Sequence, residues 1–147
     1  MSKINLPSLF SEFCEQNKFE VNTQQVEIIN LLNSFLNQRK IFLRGFSKKK
    51  EKLCFFLYGK VGVGKTMLLN FAYERLKIKK HRQHFNEFMI NFHDFRHKNK
   101  DNSINAFVKK LKKYDLIYLD ELQVTNIVDA MILGKLFETI FSEKIKI

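Results

Sequence analysis

A lysine set among closely spaced glycines constrains this chain more than any other feature. It lies in FFLYGKVGVGKTMLLN, residues 55–70. Gly59, four residues, then Gly64, Lys65 and Thr66 complete the pattern G-x-x-x-x-G-K-[ST]. The apolar run Leu53–Tyr58 before it predicts a strand buried on both faces. The stretch after it predicts a helix over Lys65–Lys77, with Leu68, Leu69, Ala72 and Leu76 inward. Strand, glycine loop and helix in that order make an anion cradle. Gly59, Gly62 and Gly64 let the backbone curl so that its N–H groups converge on phosphate oxygens. The helix start turns its positive dipole end toward the same charge. Lys65 adds an ammonium for the terminal phosphates, and Thr66 a hydroxyl for Mg²⁺. Lys60, Val61 and Val63 complete the loop, the Lys60 side chain reading as surface.

The remaining elements extend this unit into a repeating order. Two helices are expected near the N-terminus, one after Pro7 and one capped by Asn22 or Thr23. A second strand is expected over His84–Phe92, followed by a polar loop, and a helix over Ile104–Lys113. A third strand is expected over Asp115–Glu121, and a helix over Ile127–Ser142 capped by Asn126. The closing KIKI reads as the start of a fourth strand. Alternating strands and helices point to an α/β fold, a P-loop NTPase core with a parallel sheet and crossover helices. The expected division is a helical lead-in with a basic loop over 1–52, and the P-loop core over 53–147.

A phosphate loop needs a carboxylate on a neighbouring strand. Asp120 follows the apolar run Leu116–Leu119 and is expected at that strand's C-terminal end, where open parallel sheets bind ligands. Its expected role is to help hold Mg²⁺. Glu121 follows, and a base there would polarise the attacking water. ATP is favoured over GTP. The guanine-reading pattern Asn-Lys-x-Asp fails at residues 99–102, where Asn102 replaces the aspartate.

Composition narrows the alternatives. The 147 residues carry a net charge of +11, but the basic residues are scattered, which argues against a dedicated nucleic-acid face. The run KKKEK at Lys48–Lys52 reads as a solvated loop. Most of the 16 phenylalanines fall on apolar faces and read as core rather than stacking platforms. Cys14 and Cys54 form no CxxC, and Cys54, inside an apolar run, reads as a buried thiol in a reducing compartment. No apolar run reaches bilayer length and no secretion signal is evident, so the cytoplasm is the expected location, with a peripheral place at the inner membrane as the variant. His93 and His97, with Asp94, lack a zinc-site pattern and read as packing and hydrogen-bonding groups, as does His84. Gln24 or Gln25 could touch a base, although a solvated helix face is the simpler role. Nothing in the sequence selects among Arg75, Arg82 and Arg96 as phosphate or inter-subunit contacts.

The stretch DELQVTNIVDAMILGKLFETIF, residues 120–141, closely resembles the ZapE family of AAA+-type ATPases. The residues that carry the likeness are Gln123, Val124, Thr125, Ile127, Asp129, Ala130, Met131, Ile132 and Leu133. YGKVGVGKTML and HFNEFMINFH, with His84, Phe85, Phe88, Met89 and His93, are similar to that family's segments too. Leu122 replaces the family's aromatic residue and Asn126 an aspartate. The resemblance implies a cell-division ATPase, with mitochondrial relatives that handle membrane proteins, in which ATP hydrolysis is coupled to a protein partner. It also implies a longer protein. The strand opened by KIKI would carry a Thr-Ser-Asn sensor, so the expectation is a C-terminally incomplete core that hydrolyses ATP slowly or not at all. Alternatives are a non-catalytic remnant that self-associates or pairs with a separately encoded C-terminal half, and a basic, helicase-loader-like nucleic-acid-binding module.

Overall fold

A computed structural model describes residues 4–38, 51–60, 62–99 and 102–147. The chain divides into two compact units between Leu76 and Lys77. Val61 and most of the basic run from Lys48 lie outside the described residues.

The first unit is helical. Asn5 caps α1 (Leu6–Asn17), its side chain accepting the Ser8 N–H, and Pro7 sits in the first turn, where a missing N–H breaks no helix bond. Asn22 caps α2 (Thr23–Leu36) by accepting the Gln24 N–H at 2.9 Å. Two amides join the start of α1 to the end of α2, so the pair runs antiparallel. Asn37 Nδ2 donates to the Ile4 carbonyl at 2.8 Å, and Asn33 Oδ1 accepts the Leu6 N–H at 3.1 Å. Residues 62–64 then lead into α3 (Lys65–Arg75). Leu6, Phe10, Ile29, Phe35, Leu68 and Phe71 form one buried cluster from all three helices. Phe10 meets Phe71 edge-on, with ring centroids 5.2 Å apart.

The expected strand over Leu53–Tyr58 is not formed. These residues carry no ladder among the described residues, and their burial alternates. Leu53, Phe55 and Leu57 are half-buried, with Phe55 packed 5.6 Å from Phe35. Cys54, Phe56 and Tyr58 are exposed, so the expected buried thiol at Cys54 is also corrected. An unbroken apolar run signals a need for cover on both faces but names no partner, and a strand exists only by pairing.

The second unit carries the sheet. Strands β1 (Lys80–His84) and β2 (Leu116–Asp120) pair in parallel, in register from Lys80 opposite Leu116 to His84 opposite Asp120. The crossover runs through α4 (Phe85–Lys98) and α5 (Ser103–Leu111). After β2 comes α6 (Ile127–Ser142). The chain then returns to the other edge of β2, where the Ile117 N–H donates to the Lys146 carbonyl at 2.8 Å. The expected fourth strand is thus one parallel bridge, and β2 is bonded on both edges. The unit is an α/β arrangement around a small parallel sheet.

The expected strand over His84–Phe92 is corrected as well. β1 ends at His84 and α4 begins at Phe85, running through the polar stretch read as a loop to Lys98. Phe85, Phe88, Met89 and Phe92 are all buried, and their spacing of i, i+3, i+4 and i+7 is one helical stripe. They pack with Phe107, Val108, Ile117, Leu136 and Ile140. Ile117 and Leu119 of β2 meet this cluster. By the two-residue period of a strand, Tyr118 and Asp120 lie on the opposite face.

Candidate functional site

The phosphate loop is built from backbone. Gly64 caps α3 with φ +83°, and Gly62 has φ +85°. A side chain at Gly64 would be strained by that φ, and its Cβ would lie 3.1 Å from Gln25 Nε2. No side chain caps the first turn of α3, so its leading N–H groups stay available to an anion. Lys65 folds back over the loop, its Nζ donating to the carbonyls of Gly59 (2.8 Å) and Lys60. The predicted residues Gly59, Lys60, Gly62, Val63, Gly64, Lys65 and Thr66 are thus brought together.

Beside this loop lies a cleft of about 410 Å³ lined by Cys14, Lys18, Phe19, Glu20, Gln25 and Met67. Met67 directly follows Thr66, and Gln25 reaches Gly64, so the cleft adjoins the start of α3. Gln25 is half-buried beside Gly64, whereas Gln24 is exposed. Phe19 is exposed at the cleft rather than buried as core.

The acidic strand end is built from side chains. Asp120 closes β2 and is the one buried charged residue among those described, 8% exposed. Its Oδ1 accepts the Glu121 N–H at 3.1 Å, and its Oδ2 accepts Arg82 Nη2 at 2.7 Å. Arg82 comes from β1, opposite Tyr118, and its guanidinium also lies 5.1 Å from the Tyr118 ring. Burial, followed by the charge of Asp120, pushes the Tyr118 hydroxyl up to about 12, against the lowering pull of Arg82. Glu121 stands just past the strand with φ +53°, a conformation that costs a non-glycine residue roughly 1–2 kcal/mol. Its carboxylate is exposed and lies 4.0 Å from His84 Nδ1.

A third arrangement anchors α6. Asn126 Oδ1 accepts the Asp129 N–H at 2.7 Å, while Asn126 Nδ2 donates to Asp129 Oδ2 at 2.7 Å. The other oxygen, Asp129 Oδ1, meets His93 Nε2 at 3.0 Å and ties α6 to α4. His93 therefore serves a helix cap. Among the described residues no three His, Cys, Asp or Glu side chains gather closely enough to hold a metal by themselves. Sequence reasoning missed this pair and could not single out Arg82, because both contacts join residues about 36–38 positions apart. The available signal for His93 and Asp129 was their presence in segments that also carry the ZapE-like pattern; Arg82 lies just before such a segment and had none.

Comparison with known proteins decides the family. Residues 6–147 match AFG1-like ATPase. The chain belongs to the AFG1-like ATPase family. It is 39% identical over 110 residues to lactation elevated protein 1 homolog B of Danio rerio, covering 65% of this chain and 22% of that protein. It is 32% identical over 94 residues to the cell division protein ZapE of Escherichia coli K12, covering 61% of this chain and 25% of that protein. The chain spans about a quarter or less of the length of these curated relatives. No solved structure matches it at a significant level. This is a family of P-loop NTPases, so the ZapE-like resemblance read from sequence holds, and the mixed helices and small parallel sheet agree with an α/β core of that kind. Among the described residues no helix is long and apolar enough to cross a membrane.

Proposed function

We propose that this AFG1-like chain binds Mg-ATP, and that the whole protein couples ATP hydrolysis to work on a protein partner. The observation that carries the reading is the uncapped start of α3 behind a left-handed glycine, with Lys65 folded over the loop. Amides of the loop and of α3 would hold the phosphates, and Lys65 would exchange its carbonyl partners for phosphate oxygens. The cleft beside Met67 suits a base, with the Phe19 ring offering a stacking face and the Gln25 amide a donor and an acceptor for the adenine edge.

Asp120 fits a magnesium site. It is a hard oxygen donor at a strand end, and its carboxylate has lone pairs beyond those used by Arg82 and the Glu121 amide. One carboxylate is also what magnesium commonly takes from a protein when phosphates supply the other ligands. Thr66 is proposed to add its hydroxyl. Magnesium, when bound, would neutralise charge on the phosphates. Glu121, exposed and adjacent to Asp120, is proposed as the base that orients water. A role in division, as the name of the Escherichia coli relative states for that protein, is the corresponding cellular proposal.

The test is titration of a fluorescent ATP analogue with and without Mg²⁺. Saturable, Mg²⁺-strengthened binding is expected, weakened at least about 100-fold by Lys65→Ala through loss of a charge-assisted contact. Because Lys65, among the described residues, bonds exposed loop carbonyls, its removal should leave the melting temperature nearly unchanged. Equal binding by the variant would overturn the reading.

A further inference from the structure

We propose that Arg82 is a resident counter-cation for Asp120 that keeps divalent metal out of the site until nucleotide supplies the other ligands. The inference rests on the Mg-ATP reading for its purpose, but its chemistry lies wholly within the second unit. Asp120 is buried at the end of β2, and a buried carboxylate without a partner is costly. Arg82 supplies that partner at 2.7 Å, from the neighbouring strand and the same sheet face. The Tyr118 ring lies beneath the guanidinium, and parallel pairing fixes where both side chains leave the backbone. Around the carboxylate also stand the Glu121 amide on Oδ1, the Tyr118 hydroxyl, whose pKa the Asp120 charge helps to raise, and His84, whose Cα pairs with that of Asp120.

A divalent ion approaching this carboxylate meets a fixed positive charge on the same group. Repulsion between a guanidinium and a dication a few ångströms apart is strong in a partly desolvated setting. With no cluster of three acidic, thiol or imidazole ligands among the described residues to offset it, free metal gains little from Asp120 alone. Phosphate oxygens change the balance, because they bring negative charge and further ligands together with the ion. Arg82 thus makes metal binding conditional on nucleotide. It is a positioning residue, acting through Asp120 and in no need of touching substrate.

The experiment uses Mn²⁺ as an EPR-visible stand-in for Mg²⁺, with the full chain and no nucleotide. Wild type is expected to leave Mn²⁺ largely free. Arg82→Gln should bind it at least about tenfold more tightly, since the opposing charge is gone. Adding Asp120→Asn to that variant should return affinity to the wild-type level. Arg82→Lys, which keeps the charge, should remain near wild type. Thermal melting supplies a second readout. Arg82→Gln should lose stability in EDTA and recover part of it with Mn²⁺, and the double variant should melt above the single one. A structural role for Arg82 alone would lower melting equally with and without metal. Unchanged or weaker Mn²⁺ binding by Arg82→Gln overturns the proposal, as does tight Mn²⁺ binding by wild type. If Arg82→Gln does not fold, folding of the double variant supports the pairing and its failure overturns it. None of these readouts depends on nucleotide, so they separate this inference from the Mg-ATP reading, which the fluorescent titration tests independently.

Discussion

The phosphate loop and the acidic strand end are made by different means. The loop is a backbone device, in which left-handed glycines, an uncapped helix and an exposed lysine act over a few consecutive residues. The strand end is a side-chain device. Asp120 is buried, and its charge is matched by Arg82, 38 residues away in sequence. A backbone device is fixed by local residue types and tolerates exposure. A side-chain device depends on the sheet that brings two strands into register.

The comparison can be pressed hardest through the cores. Phe92→Ala, which removes a ring packed 5.2 Å from Phe107, should cost about 3–5 kcal/mol. Hydrogen exchange should then show loss of protection in β1, β2 and α4, with α1 and α2 much less affected, because each unit has its own buried cluster. Uniform loss across the chain would show the two regions to be one cooperative body.

Gly64→Ala tests the loop as a backbone device. The left-handed φ should make it cost roughly 1–2 kcal/mol, and binding of the fluorescent nucleotide should fall with it. Full binding by the variant would move the origin of affinity from the backbone to Lys65. Asn126→Ala removes the cap of α6 and with it both side-chain bonds to Asp129. About 1 kcal/mol of stability should be lost, as read by denaturant melting. A null result would mean that His93 holds Asp129 and α6 unaided.

The smallest expected effect is at Glu121. If its φ of +53° stores strain, Glu121→Gly should be more stable than Glu121→Ala by about 1 kcal/mol, with nucleotide binding intact in both. Equal stabilities would remove strain from the description of the strand end.

What could be read without the fold follows the same division. The helices α1, α2, α3, α5 and α6 were legible, because apolar period and asparagine caps are local signals. So was β2, with Asp120 at its end. The stretch after His84 was misassigned because its first residues are dense in apolar side chains, and a short dense run suits either period. Only the buried set Phe85, Phe88, Met89 and Phe92 shows which period operates. The run Leu53–Tyr58 was misassigned for the opposite reason. Its residues suit a strand, but a strand requires a neighbour, and these residues carry no ladder among those described.

By itself, the sequence determined the glycine loop, the lysine it presents, the helix behind it and the acid pair that closes β2. Each follows from backbone preferences and apolar periods that act over a handful of residues. Tertiary structure alone decided the partner of Asp120, the link from His93 to the α6 cap, and which glutamine reaches the loop. Those contacts arise when distant segments are packed side by side, and no local preference encodes a neighbour 30 or more positions away.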